Sequence, residues 1–187
     1  MTQLPLFISS NIHKATHLNR LLGTKLEHHP LELDELQSID PAAVIRHKAQ
    51  QAYQTVRRPV LVDDVSMCFD ALHGLPGPMI KLFVQAENGL KNLCRMADGL
   101  ASRRATARAY FGLYDGATMT IVYGEIRGEI ADHPRGGQEF TYGWDTIFCP
   151  DGYGGRTRGE LTQREYDTVY RAIRPIDQLQ EILKGRS

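Results

Sequence analysis

The run Pro59-Val60-Leu61-Val62 leads directly into two adjacent carboxylates, Asp63-Asp64. A compact, β-branched run of this kind reads as a strand. Like charges side by side at the end of an apolar strand repel each other, which costs stability unless a cation sits nearby. In an open α/β sheet, the crevice beyond the strand ends is where ligands bind. A helix cap or a surface turn also accounts for an Asp-Asp pair, so its meaning depends on what else the chain brings to it.

The remaining pattern predicts an α/β fold. Residues 4–8 read as a buried strand broken by Ser9-Ser10-Asn11. A helix then carries Ala15, Leu18, Leu21 and Leu22 on one face and stops at Gly23. Residues 31–36 alternate like a short strand. Asp40-Pro41 is an N-cap followed by proline at the first helical position, which predicts a helix to about Val56. Gly74-Leu75-Pro76-Gly77-Pro78 reads as a rigid loop. Leu90, Leu93, Cys94 and Ala97 mark another helix, and residues 106–114 and 118–130 a hairpin turning at Asp115-Gly116. A Gly/Pro-crowded stretch over 134–159 surrounds one short strand at 146–149, and a helix carries Ile176, Leu179, Ile182 and Leu183. Strands alternating with helices, then a hairpin, predict a single domain over 1–187 with a central mixed sheet flanked by helices.

Composition narrows the function classes. The 187 residues suffice for one sizeable core. The 22 Lys+Arg balance 22 Asp+Glu, so no net field draws the chain to nucleic-acid backbone or an anionic membrane. Cys68, Cys94 and Cys149 have neither C-x-x-C spacing nor a disulfide pattern and read as small buried hydrophobes. The opening Met1-Thr2-Gln3-Leu4-Pro5-Leu6-Phe7-Ile8 lacks the basic region of a signal peptide, and no stretch approaches the ~20 apolar residues of a membrane span. A reducing cytoplasm is the expected setting. His28-His29 read as loop residues before Pro30 and lack spaced partners for a metal.

Two further clusters bear on chemistry. Ser9-Ser10-Asn11-Ile12-His13-Lys14 joins a strand to a helix. Unpaired N–H groups and partial positive charge at a helix N-terminus suit phosphate, and Lys14 adds a full charge. An ordinary N-cap explains Ser and Asn there equally well. In the second cluster, Phe140, Tyr142 and Trp144 stand among glycines and could sandwich a base, or simply pack under a long loop.

In this order the clusters resemble the inosine triphosphate pyrophosphatase family. Ser9-Ser10-Asn11-Ile12-His13-Lys14 is similar to its Thr/Ser-Gly-Asn-x-x-Lys loop, and Asp63-Asp64 to its Glu/Asp-Asp pair after an aliphatic strand. Gly74-Leu75-Pro76-Gly77-Pro78-Met79-Ile80-Lys81, Pro134-Arg135-Gly136, Tyr142-Gly143-Trp144-Asp145 and Phe148-x-Pro150-Asp151-Gly152-Tyr153 resemble its later elements. The resemblance runs from the first strand to Arg171. The chain departs at Ser10, where glycine is usual, at Thr16-His17, where a glutamate is usual, and in the length of the segment 140–145. The family's late Ser-His-Arg is replaced by Thr168-Val169-Tyr170-Arg171-Ala172.

The resemblance implies a nucleotide cleft between two lobes, a homodimer, and Mg²⁺-dependent hydrolysis of an ITP-, dITP- or XTP-type nucleotide to monophosphate and pyrophosphate. It makes Asp64 the general base and a metal ligand, with Asp63 and Glu35 completing the metal site. Ser9, Ser10, Asn11, Lys14, Lys48 and Lys81 would contact phosphate. Phe140, Tyr142, Trp144, Asp145, Tyr170 and Arg171 would contact the base. The departures leave open a catalytically weak or inactive nucleotide-binding homologue, or a pyrophosphatase with a different base preference. Neither a nucleic-acid polymer nor a membrane is an expected partner.

Overall fold

A computed structural model describes residues 4–185. The chain runs β1 (Leu6–Ile8), α1 (Ile12–Leu22), β2 (His28–His29), α2 (Pro41–Val56), β3 (Val60–Phe69), β4 (Pro76–Gly77), α3 (Ile80–Gln85), α4 (Gly89–Asp98), β5 (Arg104–Tyr114), β6 (Met119–Ile130), β7 (Phe148–Pro150), α5 (Gln163–Ile173) and α6 (Ile176–Lys184). The seven strands form one sheet in the order β2-β1-β3-β5-β6-β7, with β4 paired to β3. β1 runs parallel to β2 and β3, whereas β4 on β3 and β7 on β6 are antiparallel, so the sheet is mixed as the sequence pattern implies. No helix among the described residues is long and apolar enough to cross a membrane. The first three residues of the opening segment, Met1-Thr2-Gln3, lie outside the described residues.

The described residues group into two compact units, one of 4–64, 109–124 and 174–185, the other of 65–108 and 125–173. In the first, the Asn11 side chain accepts from the backbone N–H groups of His13 and Lys14 and starts α1. Gly23, at φ 68, ends it in the left-handed conformation that a Cβ would penalise. Asp40 caps α2 through the N–H of Ala42, with Pro41 in the first turn. Ile45, Ala49 and Ala52 of α2 form a core with Leu6 and Ile8 of β1 and Val60 and Val62 of β3. Because strand side chains alternate, the face of β3 bearing Val60 and Val62 is the α2 face, and Leu61 points the other way. The parallel register puts Leu6 beside Val60 and Ile8 beside Val62, so β1 keeps the same division.

The sequence pattern misplaces three features here. Residues 31–36 form no strand: Leu31 and Leu33 pack on the core, but the Asp34 N–H donates 2.9 Å to the Gln51 side chain of α2 instead of to a neighbouring strand. His28 and His29, expected in a loop, are the strand β2, paired with Phe7 and Ile8. Finally, β3 does not end at Asp63-Asp64. It continues through Val65, Ser66, Met67, Cys68 and Phe69, all buried apart from half-buried Val65, so the carboxylates lie inside a strand.

In the second unit, the rigid loop contains a cis Leu75–Pro76 bond, and Pro76–Gly77 pairs with Met67 and Cys68. α4 buries Leu93, Cys94 and Ala97, as its spacing predicts. The Arg103 guanidinium ties the end of this helix to β6: it pairs with Asp98 and donates 2.7 Å to the Ile130 carbonyl. The turn at Asp115-Gly116, in the first unit, joins β5 and β6 as expected, with the Asp115 side chain accepting from the N–H groups of Ala117 and Thr118. The short strand expected at 146–149 is β7, one or two residues later. α5 was not foreseen, although Tyr166, Val169, Tyr170 and Ile173 have helical spacing and are all buried.

Candidate active site

Strand alternation assigns the two carboxylates different surroundings. Asp64 shares parity with Val60 and Val62 and meets α2; Asp63 shares parity with Leu61 and meets α1 and the segment after α5. The Lys14 ammonium, in the first turn of α1, lies 3.2 Å from Asp63 Oδ2 and donates 3.4 Å to Oδ1. Arg174, between α5 and α6, donates from Nη1 to Asp63 Oδ2 at 2.5 Å, and its guanidinium lies 5.9 Å from the Phe111 ring centre. The Lys48 ammonium, on α2, is 2.5 Å from Asp64 Oδ1 and 3.8 Å from Glu35 Oε1. Asp64 Oδ2 is buried and has no hydrogen-bond partner among the described residues.

The electrostatics follow from this geometry. Burial pushes the Asp63 carboxyl up, but Lys14 and Arg174 together outweigh it and hold the group well below the usual carboxylate range. Burial also pushes Asp64 up, and there Lys48 offsets it only in part while Asp63 adds repulsion, so Asp64 ends above its ordinary value. Burial pulls the Lys48 ammonium down, yet Asp64 and then Glu35 reverse this and raise it. Asp63 with Lys14 and Arg174 makes a group with one cation in surplus. Asp64 and Glu35 around Lys48 make a group with one anion in surplus. Neighbouring carboxyls with pKa values driven apart are suited to different roles.

Each predicted residue has a definite place. Glu35 is exposed and shares Lys48 with Asp64. Among the described residues no three His, Cys, Asp or Glu side chains gather as a group that could hold a metal ion. The alternation of β3 turns Asp63 toward Lys14 and Arg174, and Asp64 toward the Lys48 that Glu35 also meets. In the loop, Ser9 Oγ accepts from the Asn11 N–H, Asn11 caps α1, and His28 Nε2 lies 2.7 Å from the Ser9 carbonyl oxygen. Ser10 is exposed. His17, which with Thr16 stands where the family pattern usually has a glutamate, is buried with Nε2 3.2 Å from Arg20 Nη2. Lys81 is an exposed residue of α3 in the second unit.

The expected base-contacting residues all belong to the second unit. Trp144 is buried, edge-on to Phe148, with the Arg158 guanidinium 5.2 Å from its ring centre. Asp145 is only 2% exposed: Oδ1 accepts from Arg158 at 2.6 Å, and Oδ2 from the Tyr166 hydroxyl at 2.7 Å and the Tyr142 N–H at 2.9 Å. Tyr170 is buried beside Tyr166, whereas Phe140 and Tyr142 are half-buried and Phe140 sits edge-on to Tyr166. Arg171 is exposed on α5. Trp144, Asp145 and Tyr170 thus gather, buried, around Arg158 and Tyr166, and Phe140 packs half-buried against the same group.

Sequence reasoning missed Arg174, Arg158 and Tyr166. Arg174 carried a signal: it stands among Ile173, Pro175 and Ile176, and an arginine in so apolar a setting needs a buried anion. Arg158 and Tyr166 had none, because their partner Asp145 is distant in the chain.

A protein-family model described as the Ham1 family matches residues 5–182. The curated protein named inosine triphosphate pyrophosphatase 2 from Trypanosoma cruzi is 37% identical over 145 residues, covering 77% of this chain and 72% of its own. A solved HAM1 protein from Coxiella burnetii superposes with a TM-score of 0.83 at 22% identity, covering 98% of this chain and 100% of its own. A solved nucleoside-triphosphatase/dITP/XTP pyrophosphatase from Mycobacterium abscessus gives 0.74 at 25% identity, covering 94% of this chain and 98% of its own. With the match spanning nearly the whole sequence, this chain belongs to the Ham1 family.

Proposed function

We propose that the chain hydrolyses a nucleoside triphosphate, of the ITP, dITP or XTP type, to the monophosphate and pyrophosphate, with Asp64 as general base. The observation that carries this reading is Asp64 itself: one oxygen is anchored to Lys48 and the other is buried without a hydrogen-bond partner among the described residues. A carboxylate with one fixed and one available oxygen can orient a water and accept its proton as the water oxygen attacks phosphorus and the α–β anhydride bond breaks. Its raised pKa brings it nearer the operating pH, which favours a base.

Asp64 also suits Mg²⁺, which is commonly held by one or two carboxylates together with substrate phosphates and water. Asp64 would be the principal ligand and Glu35 the second; Asp63, already engaged by two cations, would not serve. When bound, the ion stabilises phosphate charge and acidifies water. Lys14 neutralises phosphate, and Lys48 holds Asp64 in place. Ser9, Ser10, Asn11 and Lys81 keep their proposed phosphate contacts, and Phe140 and Tyr142 are the base contacts left half-buried for that purpose. A homodimer working in the cytoplasm on free nucleotides completes the proposal.

One observation favours an altered base preference. Both oxygens of Asp145 are taken by groups of the protein, so it is poorly placed to read a base edge. The test is pyrophosphate release with Mg²⁺ from ITP, XTP, dUTP and the four standard triphosphates, with Asp64→Asn as control. Release from at least one of them, lost in the variant, is the expected result. A wild-type protein that binds ITP but releases no pyrophosphate from any of the seven is instead a binding homologue.

A further inference from the structure

We infer that Arg174 is a positioning residue: it takes up the charge of Asp63 and so leaves the Lys14 ammonium in surplus for polyphosphate. The inference rests on the reading that Lys14 meets substrate phosphate. Asp63 is deeply buried, and a buried carboxylate requires a counter-charge. Were Lys14 the sole counter-charge, the two would close into a neutral pair, and a phosphate would compete with a buried anion for the same ammonium.

The geometry separates those duties. Arg174 bonds Asp63 at 2.5 Å and is 5% exposed, so it serves the carboxylate and is shielded from solvent. Lys14 sits farther away, at 3.2 Å, and is 19% exposed. The more buried cation answers the buried anion, and the more accessible one remains over. Arginine suits the inner position because its guanidinium stays charged when buried and is more weakly hydrated than an ammonium. Its neighbours Ile173, Pro175 and Ile176 are all buried, and the Phe111 ring lies nearby, so the surroundings hold the side chain on Asp63.

A residue important only for folding would lower stability and leave the affinity of the folded protein unchanged. The experiment therefore measures binding of inorganic tripolyphosphate by calorimetry, with EDTA present, alongside steady-state hydrolysis and thermal melts. The variants are Arg174→Met, Arg174→Lys and the double variant Arg174→Met/Asp63→Asn. Folded Arg174→Met is expected to bind tripolyphosphate about tenfold more weakly and to raise KM similarly, with kcat much less affected. Arg174→Lys recovers part of the affinity. The double variant recovers most of it, because with no charge at position 63 Lys14 is no longer sequestered.

Unchanged affinity in folded Arg174→Met, or a double variant that binds no better than the single one, overturns the inference. If Arg174→Met does not fold, the lysine and double variants make the same comparison. A wild type that binds tripolyphosphate but hydrolyses no triphosphate removes the pyrophosphatase reading alone, and the binding arm still decides the role of Arg174. A wild type that binds no tripolyphosphate overturns the inference as well.

Discussion

Lys48 Nζ lies 2.5 Å from Asp64 Oδ1, and both side chains are nearly buried. Removing one member of such a pair leaves the other charged without compensation. Lys48→Met should therefore cost about 3 kcal/mol of stability, well beyond an exposed ion pair. It also leaves the burial of Asp64 less opposed, so its pKa climbs further and the acid limb of the pH–rate profile moves to higher pH. Denaturant melts and a pH series of initial rates check the two effects separately.

Asp64→Asn keeps the shape but removes the base. Turnover should fall by roughly 10²–10⁴-fold, the usual contribution of a positioned general base. Pyrophosphate release under saturating substrate, with circular dichroism to confirm folding, gives the measurement. Residual turnover near the wild-type rate would move the base elsewhere.

Asp63 governs behaviour in acid. Its folded pKa is depressed below the unfolded value of about 3.9, so its stabilisation is present above that pH. As pH falls toward and through the folded pKa, the folded state takes up its proton later than the unfolded state, and this stabilisation is lost. Asp63→Asn should flatten the decline of stability below about pH 4, while lowering stability at neutral pH. Urea melts from pH 2 to pH 7 resolve the slope; an equally steep decline in the variant would show that another carboxylate dominates.

Tyr166→Phe removes the hydroxyl that donates 2.7 Å to Asp145. A hydrogen bond to a carboxylate of this kind is worth about 2 kcal/mol. If the Asp145 cluster is core, thermal stability falls while the order of preference among the seven triphosphates is kept. A reordered panel would return Asp145 to the base site.

The sequence made legible what depends on local chemistry. Asn11 and Asp40 start their helices and Gly23 ends one because caps need only nearby atoms. The Asp63-Asp64 pair stood out because paired carboxylates in an apolar run are costly wherever they fold. What escaped was set by distant partners. The length of β3 could not be read through two charges that interrupt its apolar pattern, although that pattern resumes at Val65. Nor could the sequence show that Trp144 was already covered and that Phe140 lay edge-on to Tyr166, since the partners Arg158 and Tyr166 come later in the chain and meet them only through the fold.

Arg174 follows Asp63 by 111 residues. Chains emerge from the ribosome N-terminal part first, at roughly 5–20 residues per second. For several seconds of synthesis, position 63 therefore has its carboxylate but lacks its inner cation, and of the cations that meet it in an ion pair only Lys14 has been made. The sheet can begin to assemble in that interval, but its charge balance is completed only when the segment after α5 arrives.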